Sequence, residues 1–470
     1  MKNQSTGRVV AFLLSLCLLA IACPGCATEG TETTSTLPVS GSVWTTPAPP
    51  TAPKAPTTAP TPTLSPTPMP SPTPAPKPPA QAVIYGAGDV LLHDTFFNYP
   101  PGEDGLYDYT ECFAFLRGML DDGYAVADYE GTLGGKPYTG YPRFSGPDEI
   151  VPALWDAGFR MMLTANNHTI DSGLEGVRRT ARTFRDYGFE TIGTRPDTTS
   201  ESFAVVDING IRIGFAGCTF ETPGTDAEYA AGIRALNALP MPDGAAALID
   251  SFNPYRDDLY EKDRKELFQR VALLRERGAE AVVVFIHWGE DYSWTDDLDA
   301  ATLASQYGHL AQARLKPSPY VEALAQELAD HGVDVIVGNH PHLVHGIDVI
   351  ESDVTGRSTL VYYSTGNLLS AMDFSHNGRY RDGILARVTI QRDAEGETTV
   401  ARGEYIPLYC SRWLTGERRH YQIVPIRRAL TDPSAYNVSA GELENSLGNS
   451  LSILASYTGT ESLPVAEAMP

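Results

Sequence analysis

The sequence predicts an α/β fold with buried sheets, and three observations support this class. Continuously apolar runs rich in β-branched residues, such as VVVFI and VDVIV, have the length and composition of buried strands. Amphipathic stretches of helical length separate these runs, which is the alternation typical of α/β domains. The 470 residues are 42% hydrophobic and 20% charged, an ordinary balance for a globular protein with a substantial core.

The first half of the folded region begins with AVIYGAGDVLL, an apolar run that we expect to be a buried strand leading into a loop. The stretch at 173–188 places Val177, Ala181 and Phe184 on one face of a helix. In chain order, the patterns predict a strand at 82–92, a helix at 109–121, a short strand at 124–131, a helix at 149–158, a strand with its loop at 159–168 and the helix at 173–188.

The second half opens with a strong hairpin signal. Asn209-Gly210 lies between two apolar runs, which predicts paired strands within 201–218. Residues 220–255 have no clear period and resemble an insertion. The remaining pattern predicts a helix at 256–278, a strand with its loop at 280–289, a helix at 319–332, a strand with its loop at 333–342 and closing strands at 358–367, 383–391 and 399–409.

The N-terminus has the features of a secretion signal over residues 1–23. Lys2 and Arg8 precede the apolar stretch VVAFLLSLCLLAIA, which is too short for a comfortable membrane span. Small residues lead to Cys23, which resembles the lipidated cysteine of a bacterial lipoprotein. We therefore expect a lipid anchor at Cys23 on the cell surface; Cys26 is the weaker candidate, and a plainly cleaved signal is the alternative.

The organisation after the signal follows from composition. Residues 24–81 are dominated by Pro, Thr, Ser and Ala, so they cannot bury enough apolar surface to fold and are predicted to form an extended disordered linker. We expect the folded domain at 82–430 and a loosely attached tail at 431–470. Three cysteines remain in the folded region at wide spacing, and we expect each to be a small buried hydrophobe rather than part of a disulfide framework.

The charge excludes one class of partner. The formal net charge is −23, so binding to nucleic acid through phosphate neutralisation is not expected. A polyanionic ligand would also be repelled, unless bound cations reverse the local field.

Polar residues of metal-ligand type follow four apolar strands and, more weakly, a fifth. Because ligands of α/β proteins gather at the carboxyl ends of strands, these residues predict a shared crevice. A single histidine at such a place is usually a hydrogen-bonded loop residue, but the coincidence at several strand ends favours one site. The residues are Asp89 with His93; Asp128 and Glu130; Asn166, Asn167, His168 and Asp171; His287 and Glu290; and His340 and His342.

This set suits one or two divalent ions such as Mn²⁺, Zn²⁺ or Fe²⁺. Two such ions about 3.5–4 Å apart can clamp a phosphoryl or carbonyl oxygen. Other chemistries have less support, because the folded region contains no Gly-x-Ser-x-Gly elbow, phosphate-binding loop or Cys-x-x-Cys pair. The expected metal ligands are Asp89, Glu130, Asn167, His287, His340 and His342.

Six motifs in order resemble the CapA family of poly-γ-glutamate capsule-synthesis proteins. They are GDVLLHD at 88–94, YEGTL at 129–133, ANNHTID at 165–171, HWGEDY at 287–292, GNHPH at 338–342 and STGNLL at 364–369. The resemblance covers about residues 82–410. It implies a calcineurin-like metallophosphoesterase fold, a four-layer α/β/β/α sandwich in which two packed sheets are flanked by helices.

The resemblance also implies roles. Asp89 corresponds to the first metal-binding aspartate, Glu130 to a bridging acid, and His287, His340 and His342 to the later metal histidines. Asn167 would bind metal, and His168 would act as the catalytic acid or stabilise the transition state. The residues expected to support the ligands or the substrate are His93, Asp128, Asn166, Asp171, Glu290, Asn339 and Asn367.

The chain departs from the family pattern at three places. Asp128-Tyr129-Glu130 stands for the usual Asn-Leu-Glu, and Asn339 replaces the first histidine of Gly-His-His-Pro-His. Leu91 stands where a phosphoesterase has a histidine, with His93 as the candidate substitute. One of the two metal sites is therefore expected either to be weak or to be loaded only with substrate.

Three functions remain open from the sequence. The first is a metal-dependent hydrolase or transferase that takes part in making or exporting an anionic γ-linked glutamate polymer, or that acts on a phosphoester. The second is a non-catalytic surface factor that binds the polymer or a membrane polymer synthase. The third is a structural or adhesion domain with incidental histidines.

Overall fold

The computed structural model describes residues 77–222, 231–291, 302, 315–372 and 378–469. The predicted signal peptide, Cys23 and nearly all of the predicted linker lie outside these residues and remain predictions. Among the described residues, no helix combines the length and the apolar character needed to cross a membrane.

The strands of the described region, numbered in chain order, are β1 Ala80–Leu91, β2 Tyr124–Tyr129, β3 Phe159–Leu163, β4 Glu190–Ile192, β5 Phe203–Ile208, β6 Ile211–Phe220, β7 Ala235–Leu236, β8 Leu239–Pro240, β9 Ser251–Phe252, β10 Ala281–His287, β11 Val335–Asn339, β12 Ile347–Glu351, β13 Ser358–Tyr362, β14 Asn367–Ser370, β15 Asp382–Arg392, β16 Thr398–Thr415, β17 Arg418–Pro425 and β18 Val465–Glu467. The helices are α1 Ile150–Ala157, α2 Gly173–Tyr187, α3 Asp257–Glu276, α4 Pro319–Asp330, α5 Ile426–Ala429 and α6 Ala440–Leu454.

Two large sheets organise these strands. The nine-stranded sheet has the order β17-β16-β15-β1-β2-β3-β4, with β14 beside β1 and β18 beside β16. The seven-stranded sheet has the order β12-β13-β11-β10-β6-β5, with β9 beside β6. Strands β1 to β4 pair in parallel in the first sheet, and β6, β10, β11 and β13 do so in the second. Each sheet therefore has one edge at which the carboxyl ends of neighbouring strands meet.

The hydrophobic core has contributions from both sheets. One cluster joins side chains of the first sheet, such as Val126 and Met161, to side chains of the second, such as Phe215 and Phe285. A second cluster packs the first sheet against α1 and α2, and a third packs the second sheet against α3 and α4. Burial of these apolar faces is the main force that holds helices and sheets together. The predicted α/β class is confirmed.

Local sequence signals explain several elements. Val177, Ala181 and Phe184 are buried on one face of α2, as their spacing predicts, and Gly188 ends the helix at a φ of 120°. The hairpin signal is also confirmed, because Ile208 pairs with Ile211 across Asn209-Gly210. Both turn residues have positive φ, which is the turn type that matches the twist of the strands.

The predicted helix at 109–121 is wrong. This segment contains only a 3₁₀ helix at Thr110–Phe113, followed by turns. Phe113, Leu116 and Leu120 are buried, so the apolar spacing suits a helix. Gly118, however, has a φ of 79°, and a left-handed residue interrupts helical hydrogen bonding.

The predicted loose attachment of residues 431–470 is also wrong. Helix α6 begins with a capping box in which Ser439 and Glu442 satisfy each other's backbone N–H groups. Its buried Leu443 and Leu447 pack in a cluster with Tyr409 and Val424 of the first sheet, and β18 pairs with β16. The hydrophobic pattern of the segment is weak because the buried face of α6 also contains the polar residues Ser446 and Ser450.

Candidate metal centre

The carboxyl ends of both sheets carry the candidate ligands. Asp89 lies near the end of β1, and Glu130 directly follows β2 in the first sheet. His287 ends β10 in the second sheet, and His340 directly follows β11. The sheets converge here, because Asp128 Oδ2 of the first sheet lies 2.8 Å from His287 Nδ1 of the second.

Three groups of buried side chains could hold a metal ion. In each group the ligand atoms lie within 4.8 Å of one another. Within the described residues, the groups are Asp89, Glu130 and His342; Glu130, His287 and His340; and Asp89, Asp128 and His287. Glu130 belongs to two groups that otherwise share no member, so its two oxygens could serve two ions.

Glu130 provides the fit test for a cation. Its side chain is 1% exposed, and neither carboxylate oxygen has a hydrogen-bond partner among the described residues. Oε1 lies 3.7 Å from His287 Nε2, and Oε2 lies 3.7 Å from His342 Nδ1. Burial raises the pKa of Glu130 well above its usual range. Because burying an uncompensated carboxylate is costly, this position suits a bound cation.

His287 is arranged as a neutral ligand. Burial lowers its pKa to about 3, so the ring is uncharged at neutral pH. We assign the ring proton to Nδ1, which then donates to Asp128, and this leaves the lone pair on Nε2. Asn167 Oδ1 lies 2.8 Å from that Nε2, and His340 Nδ1 lies 3.1 Å from it. Several acceptor atoms thus converge on one point, as they do around a metal ion.

The other side of Glu130 also attracts positive charge. Asp89 Oδ2 lies 3.2 Å from His342 Nδ1, and burial raises the pKa of Asp89. For His342, burial disfavours the charged ring, but the carboxylates of Glu130 and Asp89 outweigh this effect and raise its pKa to about 10. Asn367 Oδ1 lies 3.0 Å from the same Nδ1, and its amide nitrogen donates to the Tyr380 carbonyl at 2.9 Å.

His168 is oriented toward the centre. Its Nδ1 lies 2.6 Å from Asp171 Oδ2, and its Nε2 lies 3.9 Å from Glu130 Oε1. Asn166 Oδ1 accepts a hydrogen bond from the His168 backbone, and the amide of Asn166 donates to Asp128 at 3.2 Å. The Phe144 ring packs edge-on against the imidazole at 4.7 Å. These contacts fix the ring so that Nε2 could exchange a proton with a molecule bound at the ligand groups.

Backbone geometry at the GNHPH motif also serves the site. His340 and His342 have φ values of 101° and 57°, an uncommon conformation for residues with a Cβ and one often found at functional sites. A Cβ on Gly338 would lie 2.2 Å from the Tyr363 carbonyl oxygen, and one on Gly88 would lie 1.7 Å from the Gly366 oxygen. Both glycines therefore permit close backbone approaches beside the ligands.

Three predicted supporting residues have hydrogen-bond partners that lie outside the ligand groups. His93 Nδ1 is 3.4 Å from the Leu91 carbonyl, and its ring packs on Phe144. Glu290 accepts a hydrogen bond from the Tyr255 hydroxyl at 3.3 Å, and Asn339 accepts one from Thr365 at 2.6 Å. His93 is in none of the ligand groups found among the described residues, so the structure does not place it as a replacement for the histidine absent at position 91.

Two residues that the sequence patterns did not single out make contacts at the centre. Asn237 Nδ2 lies within 3.4 Å of Asp171 Oδ1 and 3.2 Å from His168 Nδ1, and it donates to the Pro142 carbonyl at 3.0 Å. The Phe220 ring lies 4.6 Å from the His340 ring. Asn237 occupies a two-residue turn between β7 and β8, in the region without periodicity, so only the fold reveals its proximity.

Two sheets that converge on buried histidines and carboxylates define the class: this is a metallophosphoesterase-like protein. The match to a family is specific. Residues 83–310 and 307–372 match the family described as Bacterial capsule synthesis protein PGA_cap, and the chain belongs to this family.

The chain is also similar to curated relatives. Capsule biosynthesis protein CapA of Bacillus anthracis is 30% identical over 226 residues, which are 48% of this chain and 43% of the relative. PGA biosynthesis protein CapA of Bacillus subtilis is 24% identical over 254 residues, 54% of this chain and 52% of the relative. The chain thus spans about half the length of these relatives.

Among solved structures, the NAD nucleotidase NadN of Haemophilus influenzae aligns with 82% of this chain and 64% of its own, at 11% identity and a TM-score of 0.35. This similarity is too distant to support an argument about fold or function.

Proposed function

We propose that this protein is a cell-surface, divalent-metal-dependent hydrolase or transferase that takes part in making or exporting a poly-γ-glutamate capsule polymer. The single observation that carries the metal dependence is Glu130, a buried carboxylate with two unpartnered oxygens between two sets of ligand atoms. Family membership supports the link to capsule synthesis.

The ligand groups suggest how two ions would be held. Asp89, Glu130 and His342 would hold one ion, and Glu130, His287 and His340 the other, with Asn167 as a further oxygen ligand. We expect Mn²⁺, Zn²⁺ or Fe²⁺, which accept mixed nitrogen and oxygen ligands. When bound, such ions polarise a phosphoryl or carbonyl oxygen and activate water. They would also reverse the local negative field that otherwise repels an anionic polymer or phosphoester.

The chain's own residues would handle the proton. Asp171 holds His168 by its Nδ1, so Nε2 faces the ligand groups and can give a proton to a leaving group. Asp128 orients His287, and Asn166 links Asp128 to the His168 backbone. We assign His168 as the catalytic acid on this basis.

Two further proposals concern architecture and location. Core clusters between the sheets and on their outer faces support a four-layer α/β/β/α sandwich. The apolar N-terminal stretch before Cys23 supports a lipid anchor, with residues 24–81 as the spacer. We also propose a membrane polymer synthase as a partner, because the lipid anchor would hold this protein at the membrane where such a synthase lies.

Metal content is the first test. Metals per chain should be measured by mass spectrometry in wild type, in the Glu130→Gln variant and in the His340→Ala/His342→Ala double variant. We expect one or two ions in wild type and a loss in both variants, with His331→Ala, an exposed histidine outside the centre, as the matched control. A folded wild-type protein that binds no ion after loading with Mn²⁺, Zn²⁺ and Fe²⁺ would overturn metal dependence.

Turnover is the second test. Phosphoesters and γ-glutamyl amides should be screened with the metal-loaded protein and with His168→Ala. The proposal predicts that His168→Ala keeps its metal and loses turnover by about 10²–10⁴-fold. A metal-loaded protein that binds γ-glutamate polymer tightly yet turns over none of these substrates would favour the non-catalytic binding factor instead.

A further inference from the structure

A band of aromatic side chains lies on the loops beside the metal centre. We define the aromatic surface as Phe97, Tyr99, Tyr107, Tyr138 and Tyr141. Ring centroids lie 5.5 Å apart for Tyr99 and Tyr107, 6.1 Å for Tyr107 and Tyr138, and 6.0 Å for Tyr138 and Phe97. Tyr141 is 78% exposed. The other four rings are partly exposed, so each leaves some aromatic surface open to a ligand.

Two neighbouring cavities open along this surface. One, of about 750 Å³, is lined by Tyr99, Tyr107 and the prolines 100, 101 and 152. The other, of about 590 Å³, is lined by Phe97, Tyr138 and Tyr141. The Tyr107–Tyr138 ring contact connects the two linings, so an elongated ligand could span both cavities.

The rings are held in place by internal contacts. The Tyr107 hydroxyl donates to the Phe97 carbonyl at 3.1 Å, and the neighbouring Tyr109 hydroxyl donates to the Phe96 carbonyl at 3.2 Å. The Arg418 guanidinium lies over the Tyr99 ring at 4.3 Å. A platform ordered before binding loses little entropy when a ligand arrives.

The charge of the lining discriminates between polymers. Of the described residues that line the larger cavity, four are carboxylates and one is an arginine: Glu103, Asp104, Asp108, Glu149 and Arg418. The smaller cavity has one of each, Asp94 and Arg143, so the negative excess lies in the larger cavity. This excess of negative charge repels a polyanion such as a γ-glutamate chain. A neutral polyhydroxylated ligand is not repelled, and its hydroxyl groups can donate to the carboxylates. Its C–H faces can pack on the electron-rich faces of aromatic rings.

The surface is adjacent to the proposed catalytic site. Pro142 and Arg143 line the smaller cavity, and Pro142 accepts a hydrogen bond from Asn237. Phe144, which directly follows Arg143, packs against His168. We propose that the aromatic surface binds a neutral glycan strand, which positions the protein on a glycan polymer while the metal centre remains available for an anionic substrate.

The test is calorimetric binding of cellohexaose and hexa-N-acetylchitohexaose, two uncharged hexasaccharides, to the purified protein in EDTA. The chelator keeps the result independent of the metal centre and of the proposed hydrolase function. We expect Tyr99→Ala and Tyr138→Ala to weaken binding about three- to ten-fold each. Tyr141→Ala should also weaken binding. Because the Tyr141 ring is largely exposed, its removal should not disturb the fold, so a loss of binding cannot be attributed to misfolding. Tyr187→Ala, a half-exposed tyrosine on α2, is the matched control and should bind like wild type.

Three results would overturn the proposal. The first is wild-type protein that binds neither hexasaccharide at millimolar concentration. The second is equal binding by wild type and all surface variants. The third is binding of a γ-glutamyl hexapeptide or a polyproline peptide at this surface in place of the sugars, which would assign it to a different class of polymer.

Discussion

Two clusters of buried carboxylates show how the same burial can serve different ends. In the first, which we call the arginine-paired cluster, Glu221, Asp250 and Asp263 are at most 3% exposed. Asp250 Oδ1 lies 2.9 Å from both Arg195 and Arg270, and Arg234 pairs with Glu221 and Asp263. Each carboxylate therefore has a permanent cation from the chain itself.

Among the described residues, the metal centre contains the same number of buried carboxylates, and none of them has an arginine among its ion pairs. Asp89, Asp128 and Glu130 are at most 1% exposed, and their nearest basic partners are histidines. Burial raises the pKa of all three, as it also does for Asp250 and Asp263, so the presence of arginine rather than the direction of the pKa shift separates the two clusters. In the arginine-paired cluster, the positive charges of the arginines balance the negative charges of the carboxylates. The carboxylates of the metal centre have histidines as their basic partners, so a bound cation would complete their charge balance. The difference indicates a structural role for one and ion binding for the other.

The largest expected loss of stability comes from removing an arginine of the arginine-paired cluster. Arg234→Ala leaves Glu221 and Asp263 without their shared cation, and we expect it to lower the free energy of unfolding by about 3–5 kcal/mol. Denaturant unfolding measures this loss. The exposed Lys265→Ala, which removes a surface ion pair, is the control and should change stability by less than about 1 kcal/mol. Normal metal content in the folded fraction of Arg234→Ala would show that the two clusters are independent.

The next largest effect is the stabilisation of the metal centre by a bound ion. Saturating metal should stabilise wild type by about 3–4 kcal/mol when its concentration is 100 to 1,000 times the dissociation constant. The double variant His340→Ala/His342→Ala should show no such gain, because both ligand groups lose a histidine. Thermal unfolding with and without metal measures the difference. An equal gain in the double variant would place the stabilising ion elsewhere.

A smaller effect is expected from Asp382, a buried carboxyl group in neither the arginine-paired cluster nor the metal centre. Asp382 is buried and hydrogen-bonded by neutral donors, Ser446 and Asn449 of α6. Burial raises its pKa to about 6 despite these bonds. A carboxyl group with a raised folded pKa contributes stability at low pH and loses it as pH rises, here between about pH 4 and 6. We expect Asp382→Asn to remove about 1–3 kcal/mol of that pH dependence. Identical pH profiles of wild type and variant would contradict this assignment.

Much of the fold and of the candidate site could be predicted, because the relevant signals are local. Continuous β-branched runs predict buried strands, and motifs at their ends name Asp89, His287 and His340. Other features depend on tertiary contacts. The strands β12 and β17 lack a strong apolar pattern and are recognised only by their pairing with β13 and β16. Likewise, the predicted strand at 358–367 divides, since β13 joins the second sheet and β14 joins the first.

Some features of the site also depend on tertiary contacts and have no local signal in the sequence. Asn237 contacts His168 and Asp171 from an irregular segment, and no local pattern could have indicated this. The contrast between carboxylates with and without an arginine partner is likewise invisible in the sequence, because Glu221 and Glu130 each directly follow an apolar strand. Only the positions of the arginines distinguish them.

The most direct test of the account compares Glu130→Gln with Glu221→Gln in metal-free protein. Denaturant unfolding in EDTA at neutral pH would give the free energy of unfolding of each. Glu130→Gln should raise it by about 1–2 kcal/mol, because it removes a buried acidic group whose oxygens have no hydrogen-bond partner among the described residues. Glu221→Gln should lower it by about 1–3 kcal/mol, because it weakens hydrogen bonds from Arg234, Ser251 and Asn253. Losses of similar size in both variants would contradict the claim that Glu130 is held for a metal ion.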